Sequence, residues 1–417
     1  MTDTNIEGME SLDAFGERAR AWIEATLPSV GDATLSDLAL QAVLFDAGFA
    51  GIAFPKEYGG AGLTLEHQKV FFDTAEELGK RVPAGFMVSI GMLAPTLLDH
   101  ASEELKLRHL PRILRGDEEW MQLLSEPSGG SDMAGALTRL TRDGDTFVLN
   151  GSKMWSTGAA QADYGLCLAR SDWDVPKHRG LSTIAVPLKD TAGLTIDTIR
   201  AVSGREGHFC TEFFDNIVLP AENLVGDLNS GWAVAQTLLY YERLATAGAG
   251  HGYGLGVAGS GEAGYGGSAM RSLMDAAKAR NASDRVVLRQ QIAAAYIERT
   301  VARHASDRVM IGQRTGHYKG QWGSLLKLHL GADSPQQAKI GLAVHGADGV
   351  IWDGDDQIVD GPGDMWLNSR GISIAGGSNE MQRNIVSERL LGLPREPSFD
   401  RDIPFNEVLR NRGNFKS

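Results

Sequence analysis

The chain has 417 residues, 42% hydrophobic and 22% charged, enough for two or three domains with buried cores and too apolar for a disordered chain. A formal net charge of −13 argues against nucleic acid and anionic membrane surfaces as partners, since both repel an acidic surface. Two cysteines, Cys167 and Cys210, exclude a disulfide framework or zinc spacing; with no secretory leader and no apolar run of bilayer length, the expected location is the cytoplasm.

The first 120 residues read as helices. Leu35, Leu38, Val43, Leu44 and Ala47 follow one helical face, and Gly48 can stop that helix. A loop follows at Phe54-Pro55 and Tyr58-Gly59-Gly60-Ala61-Gly62, because proline lacks an N–H and glycine tolerates positive φ. Further helices are expected over 65–78 and 103–114. From Trp120 the texture changes: Asp143-Gly144 is a turn dipeptide before a strand at Phe147-Val148-Leu149, and short strands are expected over 166–169, 183–188 and 213–219. After Gly226 helical patterns return over 232–247, 285–311, 324–345 and 379–391. The order is helices, strands, helices, with no alternating βαβ series, so the expected fold class is α+β rather than doubly wound. Between them, 248–268 holds ten glycines, and 254–259 matches G-x-G-x-x-G. A dinucleotide site needs a strand before that fingerprint, whereas a helix precedes it here, so the stretch reads as a loop.

Three stretches carry chemistry. Leu124-Ser125-Glu126-Pro127-Ser128-Gly129-Gly130-Ser131-Asp132 is a turn able to present backbone N–H groups and hydroxyls to a ring edge or a thioester carbonyl. In Asn150-Gly151-Ser152-Lys153-Met154-Trp155-Ser156-Thr157-Gly158, Trp155 and Thr157 fall on one side of a strand, placing an aromatic face beside a hydroxyl, as a flat heteroaromatic cofactor requires. In Ile374-Ala375-Gly376-Gly377-Ser378-Asn379-Glu380-Met381-Gln382-Arg383-Asn384, Ser378 is placed to cap a helix.

Together these stretches resemble the acyl-CoA dehydrogenase family. GFAGIAFPKEYGGAGL, LLSEPSGGSD with LNGSKMWSTGAAQAD, FDNIVLPAENLVG and GGSNEMQRNIVSERLLGLP follow one another as in that family, over nearly the whole chain. The resemblance implies an N-terminal helical domain (1–120), a central β domain (121–226) and a C-terminal four-helix bundle (227–417). It implies FAD between the β domain and the bundle: Gln122, Leu124 and Ser125 facing the flavin, Trp155, Ser156 and Thr157 against its ring, Ser378 and Glu380 bordering the cofactor, and Ser131 and Arg243 at the acyl-CoA substrate. It further implies an electron-transfer flavoprotein as acceptor and a homo-oligomer, or a heteromer with a related chain.

Abstraction of an α-proton from a thioester needs a positioned carboxylate and donors to the developing enolate oxygen. Many family members hold that carboxylate just before the glycine of the C-terminal motif, where this chain has Gly376. A minority carries it on a bundle helix within E-R-L, and Tyr241-Glu242-Arg243-Leu244 occupies that place. Glu242 is therefore the expected base, as in branched-chain, long-chain and steroid-side-chain members. Gly376 is expected to leave open space near the acyl end. R-x-x-F-G, whose arginine reaches a neighbouring subunit's FAD pyrophosphate, is missing, and Arg280 is the nearest candidate. Rival readings are a base-bearing subunit completed by an unlike chain, a flavin monooxygenase or oxidase on the same scaffold, and a non-enzymatic binding protein.

Overall fold

A computed structural model describes residues 9–83, 86–204, 209–246, 267–318, 321–351 and 361–408. Most of the glycine-rich stretch, with its G-x-G-x-x-G, lies outside the described residues; its last two residues open a helix.

Serines set the starts of the first helices by accepting an exposed backbone N–H. Ser11 caps α1 (Leu12–Thr26) and Ser36 caps α2 (Asp37–Asp46). α3 (Leu65–Glu77) follows, and α4 (Ala94–His100) continues a π-turn at Ser89–Leu93. Ser102 caps α5 (Glu103–Arg115), which Gly116 ends with a φ of +86°. The aromatic rings of Phe15, Trp22, Phe49 and Phe71 meet at the centre of this layer. α2 departs from expectation: its buried face is Leu40, Gln41 and Leu44, while Leu35 and Leu38 are exposed. The Gln41 amide reaches the Leu114 carbonyl at 2.7 Å, so a buried polar contact, invisible to a hydrophobic pattern, sets the helix's rotation.

Eight strands follow: β1 (Trp120–Leu123), β2 (Arg139–Asp143), β3 (Thr146–Thr157), β4 (Tyr164–Arg170), β5 (Leu181–Pro187), β6 (Leu194–Ile199), β7 (Phe209–Pro220) and β8 (Leu224–Val225). Their order is β6-β7-β3-β2-β4-β5-β8, with β1 parallel to β4. β4 and β5 are buried on both faces. Leu166, Leu168, Leu181 and Ala185 pack with the N-terminal helices, while Cys167, Ala169, Ile184 and Val186 pack inside the strand layer. One strand pair thus serves two cores.

The remaining helices are α6 (Gly231–Thr246), α7 (Gly267–Ala279), α8 (Val286–Arg314), α9 (Gly323–His345), α10 (Pro362–Ile372) and α11 (Asn379–Ile385), the last running into a π-turn at Val386–Leu390. α9 packs against each of the other five. α6 turns its other side to α4, β4, β5 and the π-turn at 89–93, so it joins the bundle to both other layers. Its first residue must be small: a Cβ on Gly231 would lie 2.4 Å from the Ser182 backbone. Among the described residues no helix is long and apolar enough to cross a membrane.

The chain's last described segment returns to the β layer. Phe405 is fully buried, the Arg170 guanidinium sits 3.7 Å from its ring centroid, and Lys177 pairs with Asp400 at 2.7 Å. Phe405→Ala removes a buried ring and the face under a buried cation, and is expected to lower stability by about 3–5 kcal/mol in equilibrium urea unfolding.

Candidate active site

The first two motif stretches are stapled together by a buried ion pair. Lys153 on β3 donates to Glu126 at 2.8 Å and to the Leu124 carbonyl at 3.1 Å. Glu126 also accepts from the Leu137 and Thr138 amides at 2.7 and 2.9 Å, and the Met154 amide bonds the Ser125 carbonyl at 3.0 Å. Burial alone would raise the Glu126 carboxyl, but Lys153 and the two amides outweigh it and hold it below its ordinary value.

β3 then breaks its register against β7 between Met154 and Ser156, and Trp155 takes a φ of +71°. The bulge leaves Trp155 and Thr157 exposed on one side, with Trp155 55% exposed, while Ser156 turns inward to donate to Glu212. An exposed indole beside an exposed hydroxyl is a ledge that a flat ring can cover. Ser125 is half-buried, Leu124 buried and Ser131 exposed in the adjoining turn.

Glu242 lies on α6, 8% exposed. Burial pushes its carboxyl up; Arg243, Lys327 and a hydrogen bond from Gln122 pull partly back, and the net shift is upward. Gln122 comes from β1, so this bond crosses from the strand layer to the bundle. The other Gln122 amide atom, Oε1, is buried with no hydrogen-bond partner. Gly376 closes the group. A Cβ there would lie 3.1 Å from Lys327 Cε and 3.4 Å from Glu242 Oε1. The expectation of open space at Gly376 is therefore corrected: the vacated position is filled by the Lys327 stem and the Glu242 carboxylate. Gly376 also has a φ of +67°, which disfavours any side chain. Gln382, buried beneath, donates to the Gly376 carbonyl at 2.9 Å.

Gln122, Glu242, Arg243 and Gly376 thus converge, and Leu124, Ser125, Trp155 and Thr157 form the neighbouring face, while Ser156, expected against the ring, is turned inward to Glu212 by the bulge. Ser378 caps α11, accepting from Met381 at 3.3 Å. Glu380 and Arg280 stand in exposed ion pairs, Glu380 with Arg383 at 3.5 Å and Arg280 with Asp348 at 3.8 Å. Glu126, Lys153, Glu212, Lys327 and Gln382 were not singled out from the sequence. Lys153 and Glu212 carried a signal, each being a charge at an inward position of an alternating strand. No group of three or more metal-ligating side chains occurs among the described residues.

Family models match in chain order: acyl-CoA dehydrogenase N-terminal domain at 9–117, middle domain at 122–217 and C-terminal domain at 229–391. The acyl-CoA dehydrogenase IpdE1 of Mycobacterium tuberculosis is 30% identical over 412 residues, covering 93% of this chain and 99% of that protein. This chain belongs to the acyl-CoA dehydrogenase family. The acyl-CoA dehydrogenase FadE34 of the same organism is 32% identical over 372 residues, and the match covers 87% of this chain but about half of that longer protein (47%). Among solved structures, the Tcur3481-Tcur3483 steroid ACAD is 27% identical with a TM-score of 0.72, covering 93% of this chain and 99% of that one. A chain of the ChsE4-ChsE5 complex from M. tuberculosis shares the fold, with a TM-score of 0.70 at 24% identity, over 94% of this acyl-CoA dehydrogenase and 100% of that chain.

Glu212 beneath the bulge supplies a test of the local electrostatics. It is fully buried, and one carboxyl oxygen has no partner. Burial raises it to about 7 from an ordinary 4.5, against smaller opposing pulls from Ser156, a backbone amide and Lys153. A raised folded value means that its contribution to stability is full below the unfolded value and is lost as pH climbs through about 7. Glu212→Gln is expected to flatten that loss, with a gain of up to about 3 kcal/mol at pH 8 and none near pH 4, measured by urea unfolding at both pH values.

Proposed function

We propose that this chain carries out FAD-dependent α,β-dehydrogenation of an acyl-CoA thioester to the trans-2-enoyl-CoA, with Glu242 as the base. The observation that carries the reading is the buried Glu242 carboxylate, which meets the place where Gly376 provides no side chain and receives a hydrogen bond from Gln122. A base of raised pKa suits abstraction of a weakly acidic α-proton near neutral pH. Glu242 takes the α-proton; the exclusion of water around it keeps the carboxylate weakly solvated and reactive.

The residues present fit a flavin: the Trp155 face and Thr157 hydroxyl for its ring, and the unpartnered Gln122 Oε1 and the turn of Leu124 and Ser125 at its edge. Bound FAD would supply the acceptor for the hydride leaving Cβ. Ser131, exposed on the same turn, and Arg243 are assigned to the substrate, and Ser378 and Glu380 to the cofactor border. The acyl group is a branched, long or polycyclic one, a reading supported by likeness to the steroid ACAD. An electron-transfer flavoprotein is the acceptor, the setting is the cytoplasm, and 1–120, 121–226 and 227–417 are the domains.

A second reading is favoured by Arg280. Its 3.8 Å pair with Asp348 engages the side chain nearest to the place of the missing R-x-x-F-G arginine, which in the family reaches a neighbour's pyrophosphate. On this reading the chain is the base-bearing half of a heteromer, and an unlike chain completes the FAD phosphate site.

In anaerobic mixing with an acyl-CoA panel, Glu242→Gln is expected to keep the yellow colour and slow flavin bleaching by about 10²–10⁴-fold. Bleaching at the parent rate would overturn Glu242 as the base. A chain purified alone that is colourless, and yellow only when co-expressed with a related chain, would establish the heteromeric form.

A further inference from the structure

We propose that Lys327 is a positioning residue for the reaction, a fixed cation that favours the ionised form of the Glu242 carboxylate and aims it in its buried site. This rests on Glu242 being the base. Lys327 is an unexpected residue for the inside of a helical bundle: it is 4% exposed, in the second turn of α9, the helix that packs against each of the other five. Its ammonium is held by the Ile372 carbonyl at 2.7 Å, and its stem and the Glu242 carboxylate touch the same point at Gly376. A side chain at 376 would displace one or both, so the glycine and the lysine act as a unit with Glu242.

Other charged groups stand on the elements packed against Glu242 and Lys327, and His329 on α9 has a buried Nε2 with no hydrogen-bond partner. Arg243 follows Glu242 on α6 and draws its carboxyl down more than Lys327 does. On α4, Asp99 is bound by Tyr241 and His100 by Thr237, each at 2.8 Å. Arg170 of β4 lies over Phe405 and bonds the Ala134 and Lys177 carbonyls. The π-turn at 89–93 and β5 carry no charged residue. Against Lys327, Asp364 of α10 bonds Asn368, Arg370 lies over Trp366, and Glu380 of α11 pairs with Arg383; on α9 itself Asp333 bonds Gln337. Burial alone favours the protonated carboxyl, which cannot accept the α-proton; a neighbouring cation whose stem meets the carboxylate at Gly376 opposes that.

The test uses Lys327→Gln, whose amide can still donate to Ile372 but carries no charge, beside Lys327→Arg. Two readouts are taken: the pH profile of flavin bleaching, and the Glu242 carboxyl titration by difference infrared spectroscopy against Glu242→Gln, which needs no substrate. The expected result is an upward move of about one pH unit or more in the acid limb and in the titration for Lys327→Gln, with Lys327→Arg restoring both. An unmoved titration with a rate reduced equally at all pH values would overturn the proposal and leave Lys327 a packing residue. If Glu242→Gln itself bleached at the parent rate, the base assignment would fail instead, so the two failures are distinguishable.

Discussion

The buried pair of Glu126 and Lys153 is the contact on which the candidate site depends. Removing two charges from water is costly, and their mutual attraction offsets that cost only where the remaining donors and acceptors are satisfied. Here Glu126 accepts two backbone amides besides Lys153, and Lys153 has the Leu124 carbonyl as a second acceptor. The pair holds the turn after β1 against the outer part of β3. That anchoring fixes where β3 bulges, and the bulge turns Trp155 and Thr157 outward together. It also fixes the end of β1, whose Gln122 reaches across to Glu242.

Two chain positions lead to one location for a carboxylate. A side chain on the loop at 376 and one on α6 at 242 meet at the same point, and this chain uses the helix. The choice has a backbone consequence. The loop position adopts a left-handed conformation that glycine takes at no steric cost, so the loop can close tightly over the Lys327 stem. A helix position also holds the carboxylate more rigidly than a loop does, because the backbone ladder limits its Cα. The arrangement buries one carboxylate with two cations, Arg243 and Lys327, a grouping that burial alone would not tolerate.

α6 is the element that brings these parts together. It faces α9 on one side and β4, β5 and α4 on the other, and Gly231 lets its first turn press onto the Ser182 backbone. The double-sided burial of β4 and β5 gives it a rigid floor, since those strands belong to two cores at once. Packing between three layers leaves the Glu242 carboxylate buried.

The sequence alone determined the class and order of the layers, because helical and strand periodicities are local and survive without knowledge of the fold. It singled out Glu242 through the family resemblance at the E-R-L segment, and Trp155 with Thr157 through a period of two. Local pattern did not reach the rotation of α2, set by the Gln41 contact with Leu114, or the short strands β1, β2 and β6, whose pairing partners lie far along the chain. Lys327 reads as an ordinary polar position because its burial depends on elements tens of residues away. The closing of Gly376 over Lys327 and Glu242, and the pairing of Arg280 with Asp348, were decided only in three dimensions. Both are contacts between separate helices and turns, and no spacing along the chain encodes the distance at which they meet.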